Sequence, residues 1–91
     1  MAQSYGFIEI SGVTAAVYAL DIMCKTAEVK FEGWQRRLGG RLVTVIVSGK
    51  VSAVREAVDA AINQGIKKPA ATGVIASPHS EIVRLVEQNK G

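Results

Sequence analysis

Residues 36–41, RRLGGR, set Arg36, Arg37 and Arg41 around Leu38, Gly39 and Gly40. Guanidinium groups supply positive potential, and glycines, lacking a Cβ, let backbone amides approach neighbours or anions at short range. The chemistry this pattern offers is anion contact rather than bond making. The field is local. From Gly33 to Arg55 the chain carries Arg36, Arg37, Arg41, Lys50 and Arg55 without an acid, although the formal net charge of the whole is only +3. Taken alone, the same segment also suits an ordinary solvated hairpin loop, in which glycines allow positive φ.

The other residues capable of chemistry are sparse. His79 is the single histidine, with Glu81 as its one sequence neighbour for acid–base work, and it reads as a solvated residue at a loop or helix start. Cys24 is the single cysteine, so no internal disulfide forms. Its place in an apolar helical pattern predicts a small buried core residue. No phosphate-cradling glycine motif, CxxC or HExxH is present. These residues point to no catalytic set, no metal site and no cofactor. RNA recognition on a sheet needs stacking aromatics on the central strands. The strand LVTVIV has none, and Phe7 is a lone candidate.

Periodicity identifies the elements that must position these residues. SYGFIEIS reads as a strand, with Ser11 as the N-cap of the first helix. Val13, Val17, Leu20, Cys24 and Ala27 form an apolar stripe at helical spacing, and Asp21 with Lys25 makes a favourable i,i+4 pair. AEVKFEGW alternates, with Glu28, Lys30 and Glu32 on one face and Val29 and Phe31 on the other, as an edge strand does. RLVTVIVSG is apolar on both faces and therefore central. Val51, Val54, Val58, Ala61 and Ile62 predict a second helix, with Arg55 and Asp59 paired on it and Gly65 past its end. ATGVIAS is a short fourth strand. SPHSE opens a third helix over about 80–89, capped by Ser77 or Ser80 and buried through Ile82, Leu85 and Val86.

The order is an α/β (α+β sandwich) pattern, β-α-β-β-α-β plus a terminal helix, of the ferredoxin-like kind. Two helices cover one face of a four-stranded antiparallel sheet with strands one and three in the middle. The second face of strand three requires another cover, either the last helix or another subunit. Ninety-one residues make one domain, 1–91. At 48% apolar residues and a mean hydropathy of +0.21, a chain this small has apolar surface left over after its core is filled, which suggests self-association. No leader and no apolar run near membrane-spanning length is evident, so the expected location is cytoplasmic, with neither nucleic acid nor membrane as partner.

GFIEISGVTAAVYALDIMCKTAEV, LVTVIVSGKVSAVREAVDAA and VIASPH together are similar to the hexamer-forming, single-domain shell proteins of bacterial microcompartments. The resemblance covers roughly residues 5 to 80. It implies a permuted relative of the ferredoxin-like fold, cyclic hexamers that tile into shell facets, and a narrow pore for small polar or anionic metabolites. Implied partners are further copies of the chain, other shell proteins and enclosed enzymes. By the same resemblance Arg36 takes the place of a family lysine in the pore loop, and Leu38, Gly39 and Gly40 reach the axis. One extra residue leaves open whether Arg37 or Arg41 faces the lumen. Lys25 matches an edge lysine at the seam between hexamers, and His79 a histidine near it. Glu28 stands where the family often has asparagine and Ser77 where it often has arginine. Hexamers are therefore a firmer expectation than flat sheets, and Glu28 offers a charged partner for a neighbour's Lys25. The rival reading is a small-molecule-binding regulatory module of ACT or PII-like type, with a ligand held by the glycine loop at a subunit interface.

Overall fold

A computed structural model describes residues 3–36 and 41–88. The elements run β1 (Ser4–Ser11), α1 (Val13–Thr26), β2 (Lys30–Arg36), β3 (Leu42–Gly49), α2 (Val51–Gln64), β4 (Ala71–Ile75) and α3 (Ser80–Gln88). The strands form one antiparallel sheet in the order β2-β3-β1-β4. Each of the helices α1 and α2 therefore connects two strands that have a third between them, which is the expected ferredoxin-like arrangement. The two apolar strands are central.

Alternation divides the residues of those central strands between two cores. Ile8 and Ile10 of β1 and Val43, Val45 and Val47 of β3 point to α1 and α2 and are almost wholly buried. Tyr5 and Ile46 point the other way, where Val86 of α3 covers them and Phe7 and Ile82 pack alongside. The C-terminal helix thus supplies the second cover that β3 requires. Gly6 lets α2 lie close on β1. A β-carbon there would stand 2.7 Å from Val54 Cγ1 and 3.1 Å from Val58 Cγ2.

The buried face of α1 differs from the expected stripe. Ala15, Ala16, Ala19 and Met23 are buried, whereas Val13, Val17 and Cys24 are exposed. Alanines allow close packing against α2 and the sheet, so the helix rotates them inward and leaves larger apolar side chains outside. α2 follows its expected stripe through Val54, Val58 and Ala61, with Ala57 and Ala60 added. Val51, at its first turn, is exposed.

β2 also departs from simple alternation. A bulge between Phe31 and Gly33 resets its register against β3, and Gly33 adopts φ 152°, a conformation that disfavours side chains. In consequence Glu32 turns inward to 6% exposure and accepts a hydrogen bond from Ser48 Oγ at 2.5 Å, while Phe31 is 44% exposed. Two capping expectations change as well, at Ser11 and at the start of α3. Gly12, with φ 95°, precedes α1, and Ser11 instead accepts a hydrogen bond from Lys67 Nζ. His79, not Ser77 or Ser80, caps α3. Gly65 comes after α2 in an extended conformation, its N–H donating to the Ala61 carbonyl.

Candidate functional site

The strand register sets two poles. At one, Ser11 of β1 faces Leu42 of β3, Arg36 of β2 faces Val43, and Ala71 of β4 faces Glu9. At the other, Ser4 faces Gly49, Lys30 faces Ser48, and Ile75 faces Tyr5. Arg36 ends β2 and Arg41 precedes β3 at the first pole, both exposed. The Gly12 N–H donates to the Arg41 carbonyl at 2.8 Å, tying the base of the β2–β3 connection to the start of α1. Arg37, Leu38, Gly39 and Gly40 lie outside the described residues.

The remaining predicted site residues gather at the second pole, on opposite flanks of the sheet. Lys25, in the last turn of α1, and Glu28, between α1 and β2, lie on one lateral edge. Ser77 and His79 lie between β4 and α3, on the other. Lys25 and His79 are exposed, as is Ser77, and Glu28 stands at the surface beside Val29. Lys25 Nζ is 2.9 Å from Asp21 Oδ2, the expected i,i+4 pair. The hydrogen bond to Asp21, helped by its negative charge, holds the Lys25 ammonium above its ordinary pKa. The expected pair of Arg55 and Asp59 is not among the ion pairs of the described residues.

Cys24 is not a core residue. It is exposed on α1, and partial desolvation together with the charge of Asp21 pushes its thiol pKa up, which disfavours the reactive thiolate. His79 accepts a hydrogen bond from the Glu81 N–H through Nδ1 at 3.0 Å, and its carbonyl accepts from Ile82 and Val83. His79 is an exposed residue at a helix start, as its sequence position predicts, and its imidazole serves as the cap. Ser77 precedes Pro78 with φ 50°, the one left-handed non-glycine among the described residues. The signal missed in the sequence is a groove of about 270 Å³ between α1 and β2, lined by Val17, Leu20, Phe31, Gly33 and Trp34. Both aromatic rings reach that groove because the bulge removes one step of alternation between them.

A family model for the BMC domain matches residues 4–78. The chain belongs to the BMC domain family. Among relatives of this BMC domain, the bacterial microcompartment shell protein PduA of Citrobacter freundii is 38% identical over 86 residues, covering 92% of this chain and 91% of that protein. The bacterial microcompartment shell protein EutM of Escherichia coli strain K12 is 38% identical over 82 residues, covering 88% and 84%. The carboxysome shell protein CsoS1 of Prochlorococcus marinus is 38% identical over 88 residues, covering 90% and 82%. The fold of the BMC domain also matches the crystal structure of a microcompartments protein from Desulfitobacterium hafniense DCB. That match has a TM-score of 0.83 at 19% identity and spans all of this chain but half of that one. Among the described residues, no helix is long and apolar enough to cross a membrane.

Proposed function

We infer that this chain is a structural protein of a bacterial microcompartment shell: it closes into cyclic hexamers that tile into facets, around a pore formed by residues 36–41. The shell role rests on the family and on relatives named as shell proteins over most of their length. The hexamer is carried over from the family resemblance, and the placement of the pore rests on geometry. The observation that carries that placement is the separation of the two candidate sets to opposite poles. A ring needs one end of each subunit on the axis and the other at the rim. The basic β2–β3 connection occupies one end, and Lys25, Glu28, Ser77 and His79 flank the other.

Exposed apolar surface supports subunit contact. Val13 at 38%, Val17 at 49% and Tyr18 at 48% exposure stand beside the α1–β2 groove, an apolar cluster that a solitary protein of this size has reason to cover. Six copies multiply each loop charge by six, and converging glycine backbones leave room for passage. Backbone amides and arginines then favour small polar or anionic metabolites over cations. Other shell proteins and enclosed enzymes are the remaining partners on this reading, and the chain itself carries no reaction or cofactor. One ring nitrogen of its single histidine, Nδ1, accepts the Glu81 N–H of α3.

The pore assignment is tested with Arg36→Glu. Rings should form as in wild type while flux of anionic probes through reconstituted shells falls severalfold and that of cationic probes rises. Equal flux for both charge classes in intact rings rejects the assignment.

A further inference from the structure

The first pole carries more charge than the loop that singled it out. The connection from α2 to β4 brings Lys67 and Lys68 to the same end of the sheet, where the Ala70 N–H donates to the Glu9 carbonyl at 2.6 Å. Lys67 Nζ donates to Ser11 Oγ at 3.2 Å across 56 residues of sequence. A β-carbon built on Gly12 would stand 3.9 Å from that ammonium nitrogen. Since the Gly12 N–H bonds the Arg41 carbonyl, Lys67 sits one residue away from the base of the 36–41 connection.

Arg36, Arg41, Lys67 and Lys68 are all exposed. Against them, the segments meeting at this pole contribute one acid, Glu9, which lies two residues before Ser11 on the same strand. Even before Arg37 of the same segment is counted, that local excess equals the formal +3 of the whole chain, so the remaining charges nearly cancel. A long lysine left free spreads its charge through solvent. Here a neutral hydroxyl engages the ammonium without neutralising it, which leaves its remaining N–H donors for another acceptor.

We propose that Lys67, steadied by Ser11, forms with Arg41 a capture site for small oxyanions, carboxylate or phosphate, beside the pore loop. The pore role of this site rests on the hexamer reading above. In a ring the six copies become an outer tier of positive charge that concentrates anions before they meet the 36–41 segment. Selectivity is thereby set partly outside the loop, by a residue 26 positions beyond Arg41 in sequence.

The test is titration of the isotope-labelled full chain with inorganic phosphate at constant ionic strength, followed through the Ser11 and Gly12 amide resonances. Wild type should show a saturable shift. Lys67→Gln should weaken it roughly fivefold, the scale of one unit charge at contact distance in water. Ser11→Ala should weaken it less, and Lys50→Gln, at the opposite pole, should leave the midpoint unchanged. An equal midpoint in wild type and Lys67→Gln, or no saturable shift at Ser11 and Gly12, overturns the site. Sedimentation of the same samples separates the two readings. Lys67-dependent capture without a six-membered ring sinks the pore and spares the site, while intact rings without capture do the reverse.

Discussion

Gly6 carries a demand that only the packed structure reveals. It faces the valines of α2 so closely that a methyl group would overlap Val54 and crowd Val58 and Val47. Gly6→Ala should cost about 1–3 kcal/mol through overpacking, read as a lower denaturant midpoint at unchanged slope. An unaltered midpoint would mean that α2 shifts freely on β1. Strand alternation places Gly6 in β1 but carries no sign of which element approaches it, because close approach is a property of the partner. The residues of the candidate site divide in the same way. Arg36 and Lys25 stand out through type and local charge. Lys67 does not, because its meeting with Ser11 depends on a contact across 56 residues.

At the scale of elements, α3 depends on the imidazole at its start. His79→Ala removes the acceptor for the Glu81 N–H and should cost about 1 kcal/mol, with faster amide exchange at Glu81–Val83. His79→Asn, which restores a capping acceptor, should recover most of that loss. Equal exchange in all three proteins would show that the cap does not hold the helix. Strand order and the exchange of periodicity between strands and helices were legible from the sequence, since both cores are filled by apolar residues in their expected alternation. The inward face of α1 was not. A stripe read from the largest apolar residues selects Val13 and Val17, whereas packing selects Ala15, Ala16 and Ala19, whose small side chains permit close helix–helix contact. The bulge in β2 was equally hidden. One extra residue turns Glu32 inward to Ser48 and Phe31 outward, against the alternation on which a strand is recognised.

For the whole molecule, each pole is responsible for a different level of assembly on the proposed reading. Lys25 is exposed, charged well into the alkaline range and held by Asp21 within its own helix. Lys25→Asp should leave rings intact and abolish extended sheets under the electron microscope. If pairing with a neighbour's Glu28 carries the seam, about 1 M salt, where the Debye length is near 3 Å, should disperse wild-type sheets into rings. Sheets that persist in the variant contradict the edge assignment, and sheets indifferent to salt contradict the ionic seam. Because pairing with Asp21 raises the Lys25 pKa above its ordinary 10.5, raising the pH should release such a seam only beyond that value.

The central claim is that copies of this chain close around the pole bearing residues 36–41. Negative-stain imaging of the purified protein at low salt tests it most directly. Six-fold rings are expected, with a central hole whose rim is marked by a gold label placed at residue 38 through Leu38→Cys in a Cys24→Ser background. A monomer at high concentration, or rings labelled at their outer edge, would contradict the claim.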